Sequence, residues 1–465
     1  MNSLRALTIV GVAVLLLGLR ATAAEIVNDV SGMNPVQVAQ VVAPTELEQI
    51  VRLVREHPGP IAIGGARYSM GGQTASDGAL QLDMRGFDRV LELDLERREI
   101  RVQAGITWRQ ILEHIDPHDL SPRIMQSYAN FTVGGSLSVN VHGRYVGQGP
   151  LVLAVRSIRL VLADGSLVQA SPQQNAELFY GAIGGYGGLG VIVEATLALD
   201  ENSRLERHTE VMPLADYRAW FAREVSGGEV VMHNAILYTD DYRRVRAVSF
   251  RRSDAPLTVT ERLVPADRDY RVLRKARQIS AGPGGARLRE GLLDPLYYRK
   301  PLVQWRNHEA SLDVAELQPI STADFSHVLQ EYFVPEAQLE SFVAGMGELF
   351  ERMDVQPLNI SIRHARADPG TLLAWARKDC FALVIYYRQG VTPADRERVG
   401  QWTRALIDLA IAHQGSYYLP YQIHASSEQF HAAYPRAGEF FALKQRVDPH
   451  NRFRNRLWDA YYRVP

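Results

Sequence analysis

The stretch IAIGGARYSMGGQTASDGALQLD, residues 61–83, sets Gly64, Gly65, Gly71 and Gly72 between two apolar runs that read as strands, Ile61 to Gly64 and Leu80 to Met84. Without a Cβ, such a loop can adopt positive φ, approach a ligand closely and turn consecutive N–H groups toward an anion. The same pattern also describes a pair of strand-connecting turns, so the surroundings must decide. Upstream, Val36 to Val42 alternates as a strand does, and Pro44-Thr45-Glu46 opens a helix with Leu47, Ile50, Val51 and Val54 at helical spacing and Thr45 as its N-cap. Downstream, Arg89 to Asp94 and Glu99 to Ala104 form a hairpin, and a helix runs from Thr107 to Ile115.

Two further glycine segments follow. SYANFTVGGSLSVNVHGR, residues 127–144, holds Gly134, Gly135, His142 and Gly143, which tight turns and a hydrogen-bonded core histidine would also explain. Val155 to Leu162 and Leu167 to Ala170 make a hairpin around Asp164-Gly165, and the run Gly184-Gly185-Tyr186-Gly187-Gly188-Leu189-Gly190 leads into the strand Val191 to Leu199. Three glycine loops in one domain, each entering or leaving a strand, exceed what turns alone require.

At 465 residues the chain is longer than one hydrophobic core usually supports, so two domains are expected. A net charge of −1 gives no reason to expect nucleic acid, and Cys380, as the one cysteine, excludes an intramolecular disulfide and a cysteine-based metal cluster. Arg5, the apolar run Ala6 to Leu19 and the small-x-small Ala21-Thr22-Ala23 read as a secretory signal peptide over 1–24, with a retained N-terminal anchor as the alternative. Export to the periplasm or beyond is expected. After Asp200 the glycine clusters stop. Strands at Val230 to Tyr238, Arg246 to Phe250, Ile360 to His364 and Phe381 to Arg388 mix with helices at Pro335 to Met353 and Pro393 to His413, an α+β pattern. The arginine-rich Arg271 to Arg289 reads as a solvated surface excursion, with contact to anionic lipid as the alternative.

Together these residues resemble the vanillyl-alcohol-oxidase or PCMH-type FAD-binding family, nearest its sugar-1,4-lactone and alditol oxidase branch. Gly64-Gly65-Ala66-Arg67-Tyr68-Ser69-Met70-Gly71-Gly72-Gln73 is similar to the family's first pyrophosphate loop. Thr132-Val133-Gly134-Gly135 through Ser138, His142 and Gly143 is similar to its second, and Gly188, Gly190 and Val191 fall in its third. Lys444 to Trp458 resembles the tail that returns to the FAD domain. The resemblance implies an α+β, two-domain PCMH-type fold: an FAD domain over 25–205, a substrate-covering cap over 206–425 and a returning segment over 426–465. It implies FAD held by backbone amides, which a near-neutral chain can supply.

Departures from the pattern matter as much. Tyr68 stands where many relatives carry the histidine that bonds the flavin, so non-covalent FAD is expected. The branch's Glu-x-Arg pair is matched by Ser361 and Arg363, and its Pro-His-Trp-Gly-Lys by Pro420-Tyr421-Gln422-Ile423-His424. Arg363 is the expected stabiliser of a developing alkoxide, and Tyr421 and His424 are the candidates for proton handling, with Glu331, Lys378 and Tyr417 also within the cap's reach. The implied activity is oxidation of a CH–OH donor, a sugar lactone or polyol, by hydride transfer to flavin N5. The acceptor is O2, or a quinone or protein if the bulk of Asn140 and Val141 excludes O2. A flavin-binding protein without turnover is the alternative from another class.

Overall fold

The computed structural model describes residues 25–271, 285–317 and 323–463; the expected signal segment and most of the arginine-rich excursion lie outside them. Strand Leu80–Asp83 lies between Gln40–Val42 and Ile61–Gly64 in a parallel sheet, and all four of its residues are buried, as a central parallel strand demands. Helix Leu47–Glu56 makes the crossover between the outer two strands and packs Ile50 and Val54 with Ile61, Leu80 and Leu82. Its N-cap is Glu46 rather than Thr45, and Glu46 makes no side-chain cap bond. Because Glu46 is still extended (φ −126°, ψ 145°), the helix starts one residue late, and Thr45 donates its N–H to Gln49 Oε1.

The second sheet is antiparallel, in the order Leu167–Ala170, Val155–Val161, Val191–Glu201, Glu99–Gln103, Val90–Asp94, with Leu120–Pro122 beside the end of Val191–Glu201. Helix Trp108–Ile115 starts at Thr107, whose side chain caps Gln110 N–H while Gln110 answers Thr107, a reciprocal capping box. The second glycine segment is not all turn: Val133–Val139 is helical, capped by Thr132, which accepts from Gly135 N–H.

The rest of the chain builds an eight-stranded antiparallel sheet, in the order Val303–Trp305, Arg204–Pro213, Arg244–Arg252, Val230–Leu237, Pro357–Ala365, Cys380–Gly390, Phe325–Pro335, Ser416–Tyr417. The alternation of side chains gives this sheet two faces. Gln330 bonds Thr403 of helix Pro393–Ala412, Tyr332 meets Phe342 of helix Leu339–Arg352, and His364 meets Phe221 of helix Leu214–Glu224, so one face is covered by helices. Glu331, Arg363 and Val384 project from the other face, toward the glycine loops. The described residues thus form an α+β arrangement in which a parallel and an antiparallel sheet precede a large antiparallel sheet covered by helices on one face. The tail then recrosses. Phe453 bridges Ile61 of the parallel sheet, and Arg452 donates to the carbonyls of Ala163, Val54 and His57.

Candidate active site

The three glycine loops are fastened to one another. Gly184 and Tyr186 donate N–H to Leu137 O and Ser138 O of the 133–139 helix, both at 2.9 Å. Thr132 lies so close to Gly65 that a Cβ there would come within 2.1 Å of its hydroxyl. Between the loops is a narrow chamber walled by Gly65, Gly134, Gly135, Gly187 and Gly190, the hydroxyls of Ser69, Thr74, Thr132 and Ser138, and Gln73. None of the described residues that line it is charged, so polar recognition by them rests on amides and hydroxyls.

That chamber shares Gly65, Ser69, Thr74, Thr132, Gly135 and Val139 with a wider cavity under the cap sheet. Ala66, Arg67, Tyr68 and Met70 of the first loop and Val141 and His142 of the second line it, opposite Glu331, Arg363, Val384, Tyr418 and Tyr421. Tyr68 stacks on Phe131, centroids 4.4 Å apart. Arg67 takes φ +60° and pairs with Asp83 at 3.2 Å, while its buried Nε has no partner among the described residues. The Ser127 hydroxyl on the same wall is likewise buried and unpartnered there.

The cap face adds Glu331 and Arg363. Glu331 accepts from His142 Nε2 at 2.5 Å and from the Tyr421 hydroxyl at 3.3 Å, so both of its oxygens are engaged. Burial pushes the Tyr421 phenol well up, reinforced by the Glu331 carboxylate, which keeps it a donor. Arg363 faces this group. Its Nε is buried without a partner among the described residues, and burial lowers its pKa while Glu331 opposes that shift. A guanidinium stays protonated even so.

Tyr421 is aimed by the first loop. Met70 N–H donates to Pro420 O at 2.6 Å, and the Gln73 amide donates to Leu419 O and Tyr421 O, each at 2.7 Å, while accepting from Gly71 N–H. A side chain at Gly71 would strike Tyr421 O at 2.2 Å.

Not every residue picked from the sequence reaches the cavity. Gly64 ends its strand beside Gln81, Gly143 packs on Met125 O, Gly188 sits under Trp458, and Val191 is buried in the sheet. His424 is not on the cavity wall: it is half-buried against Gly400 and Arg404 of helix Pro393–Ala412, where desolvation holds its pKa down to about 4. Lys378 is exposed and reaches Gln414, while Asn140 caps the 133–139 helix in the left-handed region and bonds Asp368, which puts its bulk to structural use. Conversely, Thr74, Phe131, Gly187 and above all Glu331 are more central than sequence reasoning placed them. The alternation Leu329, Glu331 along one strand was the signal available for the last.

Glycine loops joined into an amide- and hydroxyl-lined chamber, opening onto a cavity roofed by an antiparallel cap, define a flavin-binding class. Residues 35–171 match the family described as FAD binding domain. The chain is similar to the mitochondrial L-galactono-1,4-lactone dehydrogenase of Brassica oleracea (30% identical over 217 residues, 46% of this chain and 36% of that protein). It is also similar to the L-gulonolactone oxidase of Mus musculus (28% over 166 residues, 36% of this chain and 38% of that protein). Cytokinin dehydrogenase 4 of Oryza sativa subsp. japonica is 29% identical over 191 residues, 39% of this chain and 35% of that protein. The chain thus spans little more than a third of the length of each of these relatives.

Proposed function

We propose that this protein oxidises a CH–OH donor, a sugar lactone or related polyol, using non-covalent FAD. The observation that carries the reading is the convergence of Arg363 and the Tyr421–Glu331–His142 chain on the cavity that opens from the glycine chamber. FAD, when bound, supplies the hydride acceptor. The chain's own groups do the rest. Arg363, whose Nε is unpartnered among the described residues, stabilises negative charge developing on the donor oxygen, and Glu331 takes the hydroxyl proton directly or through Tyr421. Strand pairing supports Glu331 in this role: Glu331 lies opposite Val384, and Val384 opposite Ser361, the position where the related branch has its glutamate. The acid missing from one strand is offered by another strand in the same transverse row. His142 holds the carboxylate in place.

Tyr68 lines the cavity and cannot form the histidyl bond of some relatives, hence the non-covalent assignment. Acid precipitation is expected to leave the flavin in the supernatant; a yellow pellet would overturn it. The alternative, a dehydrogenase with a quinone or protein acceptor, rests on Val141 alone, because Asn140 does not line the cavity. Anaerobic bleaching by a panel of lactones and polyols tests the donor class, and the rate of re-oxidation in air tests the acceptor. Lack of bleaching by the whole panel would sink the reading. Export is proposed from the N-terminal sequence alone, and a mature protein beginning near Glu25 is the expected result of N-terminal sequencing.

A further inference from the structure

Residues 285–298 form one continuous helix, from Gly285–Leu288 through a π-helical turn, Arg289–Leu293, to Asp294–Tyr298. Its exposed face is apolar. Leu288, Leu292 and Leu296 recur every four residues, joined by Leu293 and Tyr297, and they are 38–59% exposed. These five are more than half of the nine large apolar side chains exposed among the described residues, so the cluster is not ordinary surface scatter.

The inner face shows that the helix is seated, not merely detached. Arg289 donates to Leu358 O at 2.6 Å, Glu290 accepts from Thr239 Oγ1 at 3.1 Å, and Arg207 donates to Tyr297 O and Lys300 O with its guanidinium over the Tyr297 ring. A helix of a soluble surface buries its apolar stripe and shows its charges. Here the polar side is turned in and the leucines out. The two carboxylates, Glu290 and Asp294, are both drawn to Arg289, at 2.9 and 3.7 Å, whereas Arg299 and Lys300 at the C-terminal end are exposed.

We propose that this helix docks the protein on an anionic lipid surface, leucines in the acyl boundary and Arg299 and Lys300 on the headgroups. Apolar insertion with flanking cations is how interfacial helices bind such surfaces. Anionic lipid complements the exposed Arg299 and Lys300 at the end of the apolar face. The inference does not depend on the substrate.

The test is co-sedimentation of the full-length flavoprotein with vesicles of phosphatidylcholine alone or mixed with phosphatidylglycerol. Binding is expected to favour the anionic vesicles and to weaken as salt rises. L292E/L296E should lower the partition coefficient by about tenfold or more, and R299E/K300E should remove the preference for phosphatidylglycerol, with flavin absorbance and melting unchanged. If the first variant misfolds, the second decides. No vesicle binding overturns the proposal. So does binding insensitive to both variants, which would assign it to the N-terminal apolar run, or a wild-type dimer that light scattering finds broken by L292E/L296E.

Discussion

In the proposed reaction Arg363 meets the charge that forms only during turnover, because its buried Nε, unpartnered among the described residues, lies on the cavity wall with the Glu331 carboxylate. Arg363→Ala is expected to slow flavin reduction by about 10²–10³-fold with FAD still bound; stopped-flow reduction and the visible spectrum check both halves. Glu331→Gln keeps the shape but removes the proton acceptor, so kcat should fall more than substrate affinity, measured as kcat and KM separately. The structure brings Arg363 and Tyr421, both singled out in the sequence, to one cavity. It misplaced His424, since three residues after Tyr421 the chain has already turned onto the far side of the sheet, a change of direction that no local pattern encodes.

At the scale of elements, the glycine loops act as spacers that let backbone meet backbone. Gly65→Ala would drive a methyl into the Thr132 hydroxyl, costing about 1–3 kcal/mol and lowering FAD content. T132A introduced into that variant should restore part of the FAD content, and flavin-to-protein absorbance ratios would show whether it does. No such relief is expected for Gly71→Ala, because its obstacle is the Tyr421 backbone. Thr107 caps its helix, whereas Thr45, the expected N-cap, does not, and the difference is whether the next residue has entered helical backbone. Such one-residue shifts are set by packing around the end and escape propensity.

Across the whole molecule, the tail locks the third loop. The fully buried Lys444 donates to Gly188 O, Phe453 O and the equally buried Asp448 carboxylate, all at 2.9 Å. Lys444→Met would strand that carboxylate and is expected to destabilise by about 3–5 kcal/mol, read by denaturant unfolding followed through the flavin. Acid should also weaken the fold. Desolvation depresses His233 to about 3 and His424 to about 4 from an ordinary value of 6.5. Below that ordinary value the unfolded chain takes up protons that the folded chain refuses, so stability falls as pH drops from about 6.5 toward 4 and levels only below the folded values. His424→Gln should flatten part of this slope in melting temperatures recorded against pH.

What the sequence by itself determined is the FAD-binding domain: glycine spacing, strand alternation and hairpin turns are local, and a cofactor held by backbone amides must write itself into the chain as glycines at fixed intervals. The cap was legible only as a list of strands. Which side chains share a face with the flavin loops depends on the register among strands distant in sequence. That register brings Glu331 of one strand and Arg363 of another to one cavity, where the first loop aims Tyr421 at Glu331, and the tertiary structure decided it because long-range pairing and burial, not neighbouring residues, set the energy of each alignment.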